Sequence, residues 1–367
     1  MAVVTKTLKE SGGDYTSMIT WESTEQTDLV SDGDTHVLEC YDYDSSPLNE
    51  EVLIAGWTTG ASNYIVIKAA AGHGHEGVQG TGFHLSQGGL FKTTLENQQA
   101  YTRIEGLRVS NTRTSSNGDA IKENGGDGVQ INGNICSVTS TVEGACIVLS
   151  KSGAPSPRPI AMNNVCLSGY RGIGVGSFRD ADILNNTVIG CVTGIFSSSS
   201  GVDADVKNNV AHGNTTDWST GTITGTVSHN RSEDGTTPGT DTGTDTVGDD
   251  FVTYSTDLTP ANAGELDSNG TDTSLTVTID ITGTARSSDM DIGAYIAAAP
   301  AFAINLTSGS VDRSVPASTV GSITSDTAGG TLYWIAQPST TTDAPTSTEI
   351  KAGQNGDGGA ATHSGSI

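Results

Sequence analysis

A repeated pair of asparagines is the feature that most limits what this chain can fold into. The pair occurs three times, as Asn163-Asn164, Asn185-Asn186 and Asn208-Asn209. Its second member therefore recurs after 22 and then 23 residues, and Asn230 follows 21 residues later. Asn134 precedes the first pair by about one period plus a short insertion. Repeats of about 20–50 residues are typical of proteins built from stacked units.

The residues between these markers favour short strands over helices. Gly172-Ile173 recurs as Gly194-Ile195 with the same 22-residue period, and Gly, Asn and Asp interrupt the apolar runs throughout. Glycine costs about 1 kcal/mol in a helix interior, and the L-x-x-L-x-L frame of leucine-rich repeats is missing. We therefore predict an all-β fold, a parallel β-helix with coils of about 22 residues.

Stacking of coils gives the recurring asparagine a role. An inward-facing amide can donate to its equivalent on one neighbouring coil and accept from the other, which satisfies a polar group that is costly to bury alone. The predicted ladder consists of Asn134, Asn164, Asn186, Asn209 and Asn230. Two residues later, alternation places Cys136, Cys166, Val188 and Ala211 on one shared face. We interpret Cys136 and Cys166 as core residues without a catalytic role.

Composition and charge exclude several functions. The 367 residues include 17 Lys and Arg against 42 Asp and Glu, a formal charge of -25. Nucleic-acid binding needs clustered basic residues, and the sequence has none. The five cysteines are odd in number and lack a C-x-x-C pair, so neither a disulfide framework nor zinc is indicated. The first residues lack the pattern of a signal peptide and no apolar run reaches about 18 residues, so we expect a soluble product without membrane insertion.

The N-terminal region predicts a cap on the first coil. Met18, Ile19 and Trp21 form a short apolar, helical stretch after a run of turn residues, and a solenoid needs such a cover for its open end. The segment Gly13-Asp14-Tyr15-Thr16-Ser17-Met18 resembles the opening of many pectate-lyase-like right-handed β-helix proteins, including bacteriophage tail proteins. That resemblance covers about residues 5–230 and implies a right-handed β-helix rather than an activity.

A closing segment follows the repeats. Residues 232–245 are almost free of apolar side chains and predict a linker or surface loop. The segment Arg286…Asp291-Ile292-Gly293-Ala294-Tyr295 resembles the closing segment at the C-terminal end of many β-helix proteins. We predict that Arg286 pairs with Asp291 across a final turn of this segment.

The sequence pattern changes again near Ala301. Short stretches of alternating apolar and polar residues, such as Phe302–Leu306, predict a small β-sandwich. Thr331–Ala336, followed by Ala344-Pro345-Thr346 and Glu349–Gln354, resembles fibronectin-III-like or Ig-like modules of phage and bacterial surface proteins. Too few strands accumulate before Ile367 for a complete module, so either it is truncated or another chain completes it. The predicted division is a cap and first strands (1–40), the β-helix (41–230), a linker (231–250), a closing segment (251–299) and a C-terminal module (300–367).

Two pairs of aspartates are candidates for glycoside hydrolysis, which needs two carboxylates about 5–9.5 Å apart. Residues on adjacent coils lie about 4.8 Å apart, and Asp180 with Asp203, and Asp182 with Asp205, are each separated by 23 residues. They are weak candidates, because turn-facing carboxylates are common before a strand and no aromatic platform accompanies them. The sequence therefore predicts no catalytic residue.

Two other chemistries have still less support. A lyase needs a calcium-binding carboxylate cluster and a basic residue, and no spacing forces such a set together from Glu123, Asp127, Arg171 and Arg179. His73-Gly74-His75 lacks a third partner at metal spacing and predicts an exposed loop rather than a metal site. We predict no cofactor and no metal.

The leading hypothesis is a structural, non-enzymatic bacteriophage virion protein, made in the host cytoplasm: a tail fibre, tailspike or capsid appendage involved in particle architecture and host attachment. The family resemblance implies a homotrimer, with other virion proteins and a host surface glycan as further partners. A polysaccharide depolymerase on the same scaffold, hydrolase or lyase, is the first alternative. A bacterial surface adhesion module is the second.

Overall fold

Three parallel β-sheets wind into a solenoid in the computed structural model. The structure describes residues 2–44, 46–87, 93–114, 118–140, 142–150, 155–176, 180–197, 202–238, 250–254, 256–261, 265–273, 276–286, 290–297, 333–336 and 363–366. The chain divides into two units, Met1–Ala298 and Ala299–Ile367. The strand pairing confirms the predicted all-β parallel β-helix.

The first part of the solenoid contains two short helices. Its elements are β1 (Val3–Leu8), α1 (Met18–Glu25), α2 (Leu29–Asp32), β2 (Thr35–Cys40), β3 (Leu48–Asn49), β4 (Val52–Ile54), β5 (Ile65–Ala69), β6 (His84–Gln87), β7 (Thr93–Asn97), β8 (Thr102–Glu105), β9 (Arg108–Asn111) and β10 (Asp119–Glu123). The later coils consist of β11 (Gln130–Asn132), β12 (Ile135–Val138), β13 (Ala145–Leu149), β14 (Ile160–Met162), β15 (Val165–Cys166), β16 (Gly169–Val175), β17 (Asp182–Leu184), β18 (Thr187–Ile189), β19 (Cys191–Ser197), β20 (Val206–Lys207), β21 (Val210–His212), β22 (Thr216–Ser219), β23 (Val227–Ser228) and β24 (Arg231–Ser232).

From β2 to β24, every third strand belongs to the same sheet, and β1 is added next to β2. Sheet I has nine strands in the order β1-β2-β5-β8-β11-β14-β17-β20-β23, sheet II has eight from β3 to β24, and sheet III has seven from β4 to β22. Inward side chains stack in register from coil to coil. In sheet II the paired residues Cys136, Cys166, Val188 and Ala211 form one such buried column. Burial raises the pKa of both the Cys136 and Cys166 thiols, in keeping with a core role.

The turn from sheet I to sheet II explains why asparagines come in pairs. The first residue of the turn has a left-handed backbone, with φ between +53° and +64° at Gly133, Asn163, Asn185, Asn208 and His229. Glycine and asparagine adopt this conformation most readily. The second residue is the ladder asparagine, and it is fully buried on each of these coils.

The ladder asparagines hydrogen-bond from coil to coil. Asn186 Nδ2 donates to Asn209 Oδ1 (2.9 Å), and Asn164 Nδ2 donates to Asn186 Oδ1 (3.0 Å). The backbone N–H of Asn164 also donates to Asn186 Oδ1 (2.9 Å). The same pattern joins Asn134 to Asn164 and Asn209 to Asn230. Before Asn134, Leu107 occupies the equivalent place, and its backbone N–H donates to Asn134 Oδ1.

Helix α1 covers one end of the solenoid core. Ser17 caps it by accepting a hydrogen bond from Thr20 N (3.1 Å), as expected for an N-cap serine. Met18 and Trp21 are fully buried, and the Trp21 ring lies 5.7 Å from that of Trp57. Ile19, which the sequence analysis grouped with these apolar residues, is instead 46% exposed because it faces away from the core.

Residues 250–297 are here called the return segment, and described residues of this segment pack along the outer face of sheet II. The segment includes the antiparallel pair β25 (Phe251–Thr253) and β26 (Asp257–Pro260). Leu266, Ile292 and Tyr295 pack on outward residues of sheet II, including Val165 and Val210. The Tyr295 hydroxyl donates to Gly77 O (2.6 Å) far back along the chain. The predicted closing segment thus covers the side of the solenoid.

Two details of the predicted linker and closing segment differ from the structure. Arg231 and Ser232, predicted to begin a linker, form β24 and are fully buried, with Arg231 Nε 3.0 Å from Asp250 Oδ2. Arg286 does not meet the Asp291 carboxylate across a turn. Its Nη1 donates to the Asp291 backbone oxygen (3.4 Å) because the carboxylate accepts the N–H of Ser268 instead (2.7 Å).

In the C-terminal unit, the described residues form one antiparallel pair, β27 (Tyr333–Ala336) and β28 (His363–Ser366). The other residues that suggested a β module lie outside the described part of the chain, including Phe302–Leu306, Ala344–Thr346 and Glu349–Gln354.

Candidate functional site

Two outward columns of side chains on sheet I contain the predicted aspartates. Strand pairing aligns the first column, which consists of Arg103, Gln130, Ile160, Asp182 and Asp205. When the register is extended back by two residues, the second column consists of Tyr101, Gly128, Arg158, Asp180 and Asp203. Tyr64 precedes Tyr101 in this second column because Ile65 pairs with Thr102.

The early coils of these columns form a groove of about 180 Å³, here called the sheet I groove. Its lining includes Tyr64, Tyr101, Arg103, Gln130 and Arg158. Ring faces together with a few converging polar groups are the usual lining of a ligand site. Two aromatic rings therefore lie in the column of Asp180 and Asp203, on earlier coils, where the sequence spacing did not predict an aromatic platform.

The backbone places the Tyr101 ring in the groove. Tyr101 has φ +50°, a left-handed conformation that is uncommon for a bulky residue. Its N–H donates to Asp127 O (2.7 Å), which holds this conformation. On the next coil Gly128 leaves room for the ring, because a Cβ there would lie 2.6 Å from Tyr101 Cδ1.

The Arg103 side chain stacks on an aromatic ring. Its guanidinium carbon lies 4.0 Å from the centre of the Tyr64 ring, and stacking of this kind uses the face of the guanidinium while leaving its N–H edge available. Among the described residues, no carboxylate forms an ion pair with Arg103. A cation is therefore available in the groove of a strongly acidic chain.

Arg158 joins the groove to the aspartates. Its Nη1 lies 3.2 Å from Asp182 Oδ1 and its Nη2 contacts Asp203 Oδ2, so it bridges two coils. Burial lowers the pKa of Arg158. The hydrogen bond to Asp182 and the charges of both aspartates raise it by more, so the pKa is raised overall. Asp180 lies one coil beyond Arg158 in the same column and is half-buried.

Asp182 and Asp205 are held by backbone amides of the following coil. Asp182 Oδ1 accepts from Asp205 N (3.1 Å), and Asp205 Oδ1 accepts from Thr226 N (3.1 Å). Burial raises the pKa of Asp182. Burial acts in the same direction on Asp205, but the bonds from Lys207 (2.7 Å) and Thr226 outweigh it and lower that pKa. These contacts give both carboxylates a structural use between coils.

The weaker lyase set is not brought together. Glu123 aligns with Leu149 on sheet III, whereas Arg171 aligns with Ala145, four residues away along the strand direction, a distance of about 13 Å. Asp127 Oδ1 accepts from Ser156 N (3.0 Å) in a turn. Arg179 lies outside the described residues.

The two histidines of the His73-Gly74-His75 motif have separate surroundings. The His73 ring packs 4.6 Å from the Tyr41 ring. His75 is only 2% exposed, so the expectation of an exposed loop is wrong for this residue. Its Nε2 donates to Gly133 O (2.7 Å) and its Nδ1 accepts from Gly77 N (3.0 Å). Two backbone groups thus use both ring nitrogens, which requires a neutral ring.

Acid should weaken the fold through His75. Burial lowers its pKa to about 4 from an unfolded value of 6.5, so between these pH values the unfolded chain binds a proton that the folded chain does not. Its stabilising contribution is complete above about pH 6.5 and is lost as the pH falls to 4. We expect His75→Gln to flatten the fall in unfolding free energy between pH 7 and 4.5 by roughly 2–3 kcal/mol. Urea denaturation at both pH values tests this, and parallel curves for the two proteins would contradict it.

The described residues contain neither a metal-binding cluster nor a membrane-spanning helix. In the described ranges, no group of three or more His, Cys, Asp or Glu side chains is placed to hold a metal ion. Over the same residues, neither helix is long and apolar enough to cross a membrane.

Sequence reasoning missed Tyr64, Tyr101, Arg103 and Arg158 as groove residues. The two tyrosines are 37 positions apart, and this interval includes the long excursion from β5 to β6, which hides their equivalence. Arg158 lies among the prolines of the short insertion between Asn134 and Asn164, where the repeat period is interrupted. Only the strand register shows that it continues a column.

Comparison with known proteins finds one distant fold neighbour. The crystal structure of pectate lyase Pel9A superposes with a TM-score of 0.34 and 11% sequence identity, covering 81% of this chain and 97% of that one. No protein-family profile and no curated protein matches the sequence. The β-helix assignment rests on the strand pairing described above.

Proposed function

We propose that this protein is a non-enzymatic β-helical component of a bacteriophage virion that binds an acidic surface glycan in the sheet I groove. The observation that carries the binding site is the Arg103 guanidinium, stacked on Tyr64 and available beside Tyr101 and Arg158. A guanidinium edge matches a sugar carboxylate in geometry and charge. The proposed partners are two further copies in a homotrimer and other virion proteins.

The ladder supports an attachment role. Asn side chains, bonded from coil to coil, fix the turn between sheets I and II, and the groove lies on the strands that lead into that turn. A preorganised surface loses little conformational freedom on binding. Repetition along the solenoid also extends one face over many coils, which suits recognition of an extended polymer.

Glycan binding is tested with uronic-acid-containing capsular oligosaccharides and neutral oligosaccharides of equal length. We expect Arg103→Gln to weaken binding of the acidic oligosaccharide by about tenfold or more. Lys122→Gln is the matched control, because it removes the same charge from sheet III, where Lys122 pairs with Glu96 (3.8 Å). Gly128→Ala should act in the same direction as Arg103→Gln, because its Cβ would displace the Tyr101 ring. Equal affinities for Arg103→Gln and Lys122→Gln, measured by calorimetry, would reject this site.

Incubating the protein with the same oligosaccharides distinguishes binding from depolymerisation. The register places Asp182 and Asp205 on adjacent coils, which is the observation that favours an enzyme. Oligosaccharides that are shortened by the parent protein, but not by Asp182→Asn or Asp205→Asn, would replace the binding proposal with a depolymerase. The phage assignment has its own test: antibodies against this protein should label purified phage particles, and labelling of bacterial cell surfaces alone would favour the adhesion alternative.

A further inference from the structure

The outer face of sheet II changes character along the solenoid. On the later coils its outward residues, such as Val165 and Val210, are apolar and lie under the return segment. On the earlier coils the same column continues through Ile135 to Arg108 and His84. A neighbouring column contains Ser86, Ser110 and Ser137. Apolar cover therefore gives way to a cationic and hydroxylated surface within one sheet.

This polar surface lines a cleft of about 410 Å³, here called the sheet II cleft. His84, Arg108, Ser110, Thr112 and Ser137 are among its lining residues. The volume lies within the range of small-ligand sites. It lies on a different sheet from the sheet I groove, and none of the residues named here takes part in the proposed glycan site.

A chain of hydrogen bonds orders the serines and the histidine. The Ser110 hydroxyl donates to Ser86 Oγ (2.9 Å) and accepts from His84 Nε2 (2.8 Å). Ser110 is 8% exposed, so its position is fixed by these contacts. Nε2 carries the donated proton, so the ring is neutral, in keeping with burial and the Arg108 charge, which lower the pKa of His84 to about 4.

Arg108 supplies the charge. It is half-buried, and its Nη1 donates to Thr81 O over a long 3.5 Å. Within the described ranges no carboxylate forms an ion pair with it, although Asp42 acts at longer range. A half-buried guanidinium without a close carboxylate has unused donors, and oxyanions are the ligands whose geometry matches them.

We propose that the sheet II cleft binds a tetrahedral oxyanion, a phosphate or sulfate group, with Arg108 as the main charge partner and His84 and the serine hydroxyls around it. A tetrahedral anion presents oxygens in several directions and can meet the guanidinium and a hydroxyl from the adjacent coil together. A planar carboxylate is satisfied by the guanidinium edge alone. The cleft volume also leaves space for part of the molecule that carries the anion.

The test uses inorganic phosphate, sulfate and acetate with the full chain at constant ionic strength. We expect saturable binding of phosphate or sulfate, weakened roughly tenfold or more by Arg108→Gln. Lys122→Gln, which removes an equal charge from sheet III, should leave the affinity unchanged within about twofold. The His84 ring resonances should shift on saturation, and Ser137→Ala gives a milder variant in case Arg108→Gln does not fold.

The possible results of this experiment either support the oxyanion site or overturn it. Binding of only phosphate, only sulfate or both, with the Arg108 dependence and the His84 shift, supports the proposal and indicates whether a phosphorylated or sulfated ligand is the better candidate. Equal loss in Arg108→Gln and Lys122→Gln, acetate binding as tight as phosphate binding, or no saturation below about 20 mM would overturn it. Glycan binding at the sheet I groove is unaffected by any of these results.

Discussion

Asn186→Ala is expected to destabilise the fold by roughly 3–5 kcal/mol. Asn186 lies in the middle of the ladder, where its oxygen accepts two hydrogen bonds from Asn164 and its amide donates to Ala161 O and Asn209 Oδ1. All of these groups are buried, so truncation leaves several of them without partners and without access to water. Alanine also opens a small cavity between coils.

Two matched variants make the result specific to the ladder. Asn230→Ala should cost less, because Asn230 accepts two bonds from Asn209 but, within the described ranges, donates to Val206 O alone. Asn269→Ala should change the unfolding free energy by less than about 1 kcal/mol, since this asparagine is exposed and its bond to Asp267 O is local. Urea denaturation followed by circular dichroism orders the three variants. Similar losses for Asn186→Ala and Asn269→Ala would show that the asparagines are ordinary turn residues.

The repeat period was readable from the sequence because stacking demands identical chemistry at one place on every coil. An inward amide must meet an equivalent amide on the next coil, so Asn164, Asn186 and Asn209 keep their spacing. The inward column through Cys166 and Val188 was predictable for the same reason. Local constraints that repeat leave a visible period, which is why the fold could be inferred from one chain.

The first asparagine of each Asn-Asn pair has contacts that the repeat period alone does not predict. Asn185, for example, adopts the left-handed turn and then bonds the return segment, accepting from Thr273 Oγ1 (2.8 Å) and donating to Asp291 O (3.1 Å). These contacts join residues 88 and 106 positions apart. Sequence spacing cannot indicate them, because the return segment has no repeat of its own.

The candidate site was only partly predictable for a related reason. Asp182 and Asp205 were found by their spacing, and the structure places them on adjacent coils. Their backbone partners and the bridge from Arg158 were not visible in the sequence. The groove tyrosines belong to coils of irregular length, so their alignment follows from strand pairing across a long excursion rather than from any fixed interval.

Arg286→Met is expected to detach the return segment from sheet II. The guanidinium is buried, and its Nη2 donates to Asn163 Oδ1 (3.0 Å) and Gly293 O (2.8 Å). Burial lowers the pKa of Arg286 to about 10, with Asp280 and Asp291 acting in the opposite direction, so the group remains charged near pH 7. Methionine keeps the apolar stem and removes these bonds, which should cost roughly 3–6 kcal/mol.

Hydrogen exchange resolves whether that loss is local. The amides of Gly293 and Ala294, bonded to Asn208 O (2.7 Å) and Thr187 Oγ1 (3.0 Å), should exchange at least about 100-fold faster in Arg286→Met. The Asn186 amide, bonded within the ladder, should keep its rate because the solenoid core does not depend on the segment. Arg103→Met, a half-exposed control, should leave all three amides unchanged. Uniform acceleration that includes Asn186 would mean that the return segment and the solenoid unfold as one unit, since the apolar cover over Val165 and Val210 would then be part of the core that holds the coils together.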